Sequence, residues 1–265
     1  MKLAAQMYTL REFTQTPETL DEALGKVAEI GYPAVQLSAI GALDQGLIDA
    51  AGVRALLDKY GLRCCATHRP LKRLLGATDE EIAFHKTLGC DYVAVGSIAG
   101  DYGMEPSSYR RFLEDARPMI AALKVAGIRF GFHNHALEFR QRGREHYDLL
   151  LEEPDLQLEI DVYWVAVAGL DPAALLRRAA GRIAAVHLKD LEVFGWELPT
   201  YAPVGEGNLD WDAILAACRE GGTEWGIVEQ DTCRRDPFDC LASSYRFLEA
   251  APQRPHGGDG YTPAA

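Results

Sequence analysis

Residues 3–38 read LAAQMYTLREFTQTPETLDEALGKVAEIGYPAVQLS. An apolar run, Leu3–Tyr8, ends in polar residues, and Thr16-Pro17 then supplies an N-cap followed by proline at the first helical position. Proline is tolerated there because its missing N–H has no intrahelical partner to lose. The amphipathic stretch Pro17–Ile30 stops at Gly31, where a left-handed C-cap needs a residue without Cβ, and a second apolar run, Ala34–Ser38, follows. Strand, helix, glycine and strand in that order describe one parallel βαβ unit with a right-handed crossover.

The unit recurs along the chain. Further strands are expected at Leu62–Thr67, Tyr92–Gly96, Ile128–His133, Leu156–Asp161, Ile183–Leu188 and Trp225–Glu229, which brings the total to eight. Helices are expected at Leu47–Tyr60, Asp79–Leu88, Ser107–Ala126, Pro172–Ala180, Trp211–Arg219 and Pro237–Leu248, with a shorter one at His146–Leu151. Asp171-Pro172 repeats the N-cap signal, and Gly61, Gly89, Gly127 and Gly221 repeat the stop. Eight such units in about 250 residues indicate an α/β fold, a closed (β/α)8 TIM barrel over residues 1–250. The rival, an open doubly wound sheet, calls for a glycine-rich phosphate turn after the first strand. Tyr8-Thr9-Leu10-Arg11-Glu12 has none. Residues 251–265, APQRPHGGDGYTPAA, lack apolar periodicity and read as a mobile tail.

Composition narrows the function classes. The chain of 265 residues carries 27 basic and 39 acidic side chains, a net charge of −12. That balance argues against a nucleic-acid surface, which needs a positive face. No apolar run approaches the roughly 20 residues of a membrane helix, and Met1–Leu10 has no signal-peptide pattern. The six cysteines form no CxxC pair, so reduced thiols in a cytoplasmic protein are expected.

Barrel active sites lie at the C-terminal ends of the strands. Polar residues interrupt the apolar runs there: Gln6 and Tyr8, Gln36 and Ser38, His68, Ser97, His133 and His135, Asp161, His187 and Lys189, Glu229 and Gln230. Asp161, His187 and Glu229 end neighbouring strands, about 4.8 Å apart in a barrel. The trio offers mixed oxygen and nitrogen donors suited to one divalent ion, Mn²⁺, Mg²⁺, Co²⁺ or Zn²⁺. The alternative is that the two carboxylates form ion pairs with Lys189, Arg11 or Arg69. His133 and His135 are two residues apart, so both face the barrel mouth on an extended strand. The fourth ligand is His133 or Glu138, and Glu138 is favoured because it leaves both histidines for proton transfer. Arg140, Arg142 and Arg144 read as a solvated loop or as a clamp for an anionic substrate group. Val204–Asp210 is either a plain turn or a tight glycine backbone near the mouth, with Asn208 or Asp210 as N-cap of the next helix. Trp164 and Trp196 offer faces for stacking on a sugar or sealing the site against water.

At these residues the sequence resembles the xylose-isomerase-like barrel superfamily, in its sugar phosphate isomerase/epimerase group. The resemblance spans roughly residues 1–250. It rests on Gln6-Met7-Tyr8-Thr9-Leu10-Arg11, Phe132-His133-Asn134-His135-x-x-Glu138-Phe139, Asp161-x-Tyr163-Trp164, His187-Leu188-Lys189-Asp190, Gly205-Glu206-Gly207 and Val228-Glu229-Gln230-Asp231. It implies a divalent metal, often Mn²⁺, held by Glu, Asp, His and Glu from four strands, and three of these match Asp161, His187 and Glu229. His133 stands where the first Glu is expected, and Glu138 lies five residues later. The His-rich fifth strand is similar to that of inosose dehydratases and enzymes of 3-keto sugars.

The expected activity is metal-dependent isomerisation or epimerisation of a keto sugar or keto polyol through an enediolate. An inosose-type dehydratase or 3-keto-sugar lyase is the first alternative, and an endonuclease-IV-like metal hydrolase is the alternative of another class. The expected catalytic residues are His133, His135, His68 and Lys189, with Gln6, Tyr8, Arg11 and Trp164 bordering the substrate. A small-molecule sugar or polyol is the expected partner, without nucleic acid or membrane, and a homo-oligomer is allowed.

Overall fold

The computed structural model describes residues 1–142, 146–193 and 199–251. Its strands in chain order are β1 Lys2–Gln6, β2 Ala34–Leu37, β3 Arg63–His68, β4 Tyr92–Val95, β5 Arg129–His133, β6 Leu156–Asp161, β7 Ile183–Leu188, β8 Asp190–Glu192, β9 Thr200–Ala202 and β10 Trp225–Val228. All but β8 and β9 run parallel and close into a barrel in which β1 pairs with both β2 and β10. The eight expected strands are therefore the barrel strands, and the doubly wound alternative is excluded. The expected tail beyond Ala251 lies outside the described residues.

Local chemistry explains the punctuation. Thr16 and Thr19 make a reciprocal capping box at the start of helix Pro17–Ile30, and Gly31 ends it at φ 117°. Asp171, Asp210 and Asp236 cap the helices that begin at Pro172, Trp211 and Pro237 through side-chain acceptors. The apolar core lies between the barrel strands and the helices. A smaller group lines the barrel interior, including Ala4, Ala34, Ala94, Ala185, Tyr92 and Trp225. Gly131 belongs to this floor, since a Cβ there would lie 2.0 Å from the Tyr92 Oη.

Strand alternation then lifts a polar layer above the small apolar floor. Along β1, Ala4 is followed by Gln6; along β2, Ala34 by Gln36; along β7, Ala185 by His187. All three polar residues are fully buried. The sequence pattern did not reveal the short helices that follow several strands, among them Met7–Phe13, Ala136–Arg142 and Val162–Val167. Nor did it reveal the β8–β9 ribbon, where Leu191 pairs antiparallel with Tyr201.

Candidate active site at the C-terminal mouth of the barrel

Four side chains meet at the ends of β5, β6, β7 and β10. One donor atom from each of His133, Asp161, His187 and Glu229 lies within 4.8 Å of the others, and all four residues are buried. The strand registers bring them there, with Asp161 opposite His187 and His133 opposite Glu159. His187 Nδ1 is 2.8 Å from Glu229 Oε2, and His133 Nε2 is 3.3 Å from Asp161 Oδ2. The Nδ1 of His133 is buried without a partner.

Glu138 is not in this group. It is carried off by the short helix Ala136–Arg142, where its carboxylate accepts from Tyr109 Oη (2.8 Å) and from the His135 backbone N–H (2.7 Å). The expectation that Glu138 turns back to join Asp161, His187 and Glu229 is therefore not met by the geometry, and His133 occupies the fourth corner. A helical turn after the strand redirects the side chain, which counting along the loop cannot anticipate.

The ion-pair alternative is realised in one part. Lys189, fully buried, lies 3.0 Å from Asp161 Oδ2, 2.8 Å from Glu229 Oε2 and 2.8 Å from Asp231 Oδ1. Arg11 donates instead to the Tyr8 and Asp231 carbonyls, tying the first and last barrel loops together, and its guanidinium stacks on Tyr8. Arg69 binds Glu81 through two nitrogens.

The electrostatics of these groups diverge. Burial and the neighbouring His187 push His133 down to about 3, so it is neutral at any working pH. Burial also opposes charge on His187, but Glu159 and Glu229 outweigh it and push His187 up to about 10 in the absence of an ion. Burial penalises the charge on Lys189 as well, yet Asp161, Glu229 and Asp231 hold it firmly as an ammonium. His135 is moved below its ordinary 6.5, chiefly by burial, and remains partly open to the mouth.

One buried carboxylate escaped the sequence analysis. Glu159 sits on β6 two residues before Asp161 and so faces the same way, into the barrel. It contacts His68 Nε2 and accepts from Gln36 Nε2 at 2.8 Å. Burial alone would raise its carboxyl, but His68 and His187 hold it well below the usual carboxylate range. The signal was present as an acid at an inward-facing position of an otherwise apolar strand.

An aromatic wall stands beside this centre. Trp164 packs 5.4 Å from the His135 ring and 6.4 Å from Tyr201, which the β8–β9 ribbon delivers. The Lys189 ammonium lies 5.7 Å from each of the Trp164 and Tyr201 rings. The Trp164 Nε1–H is buried without a partner. Trp196, Arg144 and the side chain of Arg142 lie outside the described residues, and Arg140 pairs with Glu105. The glycine loop Val204–Asp210 is a structural turn: the N–H groups of Gly205, Gly207 and Leu209, with Trp211 Nε1, all donate to the Asp190 carboxylate.

Fold and site together define a parallel eight-stranded barrel with a buried, metal-capable His/Asp/Glu centre at its C-terminal mouth. The xylose isomerase-like TIM barrel family model matches residues 24–250, and the chain belongs to that family. It is 25% identical over 273 residues to an inosose dehydratase of Geobacillus kaustophilus, covering 88% of this chain and 85% of the relative. A sugar phosphate isomerase/epimerase structure from Parabacteroides distasonis superposes with a TM-score of 0.77 at 21% identity, covering 95% of this chain and 94% of that one. The zinc-bound IolI protein superposes with a TM-score of 0.73 at 18% identity, covering 96% and 99%. No described helix is long and apolar enough to cross a membrane.

Proposed function

We propose that the protein is a metal-dependent enzyme that removes a carbon-bound proton next to the ketone of a keto sugar or keto polyol. The observation that carries this reading is the convergence of His133, Asp161, His187 and Glu229 beside His135 and Lys189. Two imidazoles and two carboxylates suit Mn²⁺, Co²⁺ or Zn²⁺ better than an all-oxygen site would. A divalent ion held there supplies Lewis-acid stabilisation of negative charge developing on two neighbouring substrate oxygens.

The chain's own groups do the remainder. His135, neutral at pH 7 and partly open to the mouth, takes the proton at its free ring nitrogen. His133 is withdrawn from that role, because a ring held near 3 is too weak a base and its place is among the ligands. Lys189, held as an ammonium by Asp161, Glu229 and Asp231, keeps a positive charge beside the position where the substrate oxygens would sit. His68, backed by Glu159, is placed to return a proton from the other side of the mouth. Trp164 and Tyr201 cover an apolar face of the sugar and exclude water, while the Trp164 Nε1–H meets a hydroxyl.

Return of the proton to carbon gives isomerisation or epimerisation, whereas expulsion of a β-hydroxyl as water gives dehydration. The relationship to an inosose dehydratase along most of the chain favours dehydration. Incubating the manganese-loaded protein with an inosose and analysing the products by mass spectrometry tests this. A product lighter by one water supports dehydration; an isomer of unchanged mass restores the epimerase outcome, and unchanged substrate across inososes, ketoses and 3-keto glycosides removes the proposal.

A further inference from the structure

His187 is the only one of the four converging residues with both ring nitrogens in contact with other side chains among the described residues. Nδ1 faces Glu229, while Nε2 lies 2.7 Å from Gln36 Oε1 and 3.4 Å from Glu159 Oε2. A neutral imidazole offers one N–H and one lone pair, so the group opposite Nε2 decides which nitrogen can bind an ion.

That group is fixed from two independent ends. A carboxylate can only accept, so Gln36 must turn its amide NH₂ toward Glu159 Oε1, at 2.8 Å. Its carbonyl Oε1 then faces His187. From the other end, the Tyr8 backbone N–H donates to Gln6 Oε1 (3.3 Å), which turns the Gln6 NH₂ onto Gln36 Oε1 (2.8 Å). Both ends make Gln36 Oε1 an acceptor, so Nε2 of His187 must carry hydrogen.

We propose that Glu159 and Gln36 form a positioning relay, which keeps hydrogen on Nε2 of His187 and leaves Nδ1 as the lone pair for the ion. The relay rests on the ligand set given under Proposed function. Neither Glu159 nor Gln36 touches substrate in this scheme; toward the ion each acts through His187, while the second oxygen of Glu159 also meets His68. Outer partners of this kind tune metal affinity by orienting the ligand ring and fixing its tautomer. A competing arrangement uses His68, Glu159 and Nε2 of His187 as a second metal site, since their donor atoms also lie within 4.8 Å of one another. Without an ion both nitrogens carry hydrogen, Nδ1 toward Glu229. An ion that also takes Glu229 as a ligand displaces the Nδ1 proton, whereas the carbonyl of Gln36 goes on requiring a donor at Nε2, which argues against the second site.

The test uses the full-length protein, zinc-loaded and ¹⁵N-labelled at histidine, with long-range ¹H–¹⁵N NMR of the rings. The relay predicts His187 protonated at Nε2 with zinc on Nδ1, and one ion per chain. Glu159→Gln and Gln36→Met, shown to be folded by circular dichroism, should each weaken zinc about 10- to 100-fold in chelator competition, at unchanged stoichiometry. Zinc on Nε2, normal affinity in both folded variants, or two ions in the wild type with one lost in Glu159→Gln would each overturn the relay. If the variants do not fold, the wild-type NMR pattern alone decides. Loss of zinc in Asp161→Ala with normal binding in both relay variants would overturn the relay and keep the ligand set. A wild-type protein that binds no zinc would overturn both.

Discussion

At the residue scale the two histidines of the four-residue centre differ in protonation before any ion arrives. His133 is already neutral, while His187, between Glu159 and Glu229, carries a proton up to about pH 10. Ion binding at pH 7 should therefore release about one proton per chain rather than two. Titration calorimetry in buffers of differing ionisation enthalpy measures that number, and a release near zero would contradict the assignment of His187. Asp161→Ala should cut metal affinity at least about 100-fold, because a buried charged ligand is lost and the nearby Lys189 ammonium is left with one carboxylate fewer. Glu138→Ala should keep its metal, since Glu138 serves Tyr109 and the His135 N–H. It should cost roughly 1–3 kcal/mol of stability through the loss of those two hydrogen bonds to a buried carboxylate. Metal analysis and chemical denaturation of the same variant separate the two effects.

At the element scale, the inward row of β6 carries both Asp161 and Glu159, and strand period alone was enough to point both into the barrel. The donors of β6, β7 and β10 were legible because each ends an apolar strand in an ionisable group. Glu138 was misplaced because the turn Ala136–Arg142 obeys local backbone geometry that no periodicity announces. The β8–β9 ribbon was hidden for a related reason: its strands are three residues long, and Asp190 organises the neighbouring glycine loop through long-range bonds. Helix Thr78–Leu88 yields a prediction of its own. His85 Nδ1–H donates to the Glu81 carbonyl and Nε2 accepts from Thr67 Oγ1, so the fold holds the neutral ring and burial lowers its pKa below 6.5. The unfolded chain takes up that proton first as pH falls. The resulting stability is complete above pH 6.5 and is lost as pH falls through the lower folded value. Thermal melts between pH 8 and pH 5 (about the range in which histidine titrates) should show a falling Tm, and His85→Gln should flatten part of that slope.

At the scale of the whole molecule, the barrel brings residues separated by more than 200 positions to one mouth: Arg11 reaches the Asp231 carbonyl, and Thr9 receives the Gln230 N–H. Closure depends on a narrow floor of small side chains around Tyr92, so Gly131→Ala should destabilise the fold by about 1–3 kcal/mol through overpacking. Denaturation midpoints read that directly. The aromatic wall of Trp164 and Tyr201 stands beside the metal-capable centre, where the proposed ketone substrate would lie. The central claim is that this mouth enolises such a ketone. Proton NMR in deuterated water follows it whatever the final product, by the loss of one carbon-bound proton signal next to the ketone of an inosose. Exchange is expected with manganese-loaded protein, none after chelation, and none in His135→Ala that still binds its metal. Exchange that persists in metal-free protein, or no exchange across the ketone panel while abasic DNA is cut in a metal-dependent way, would contradict it.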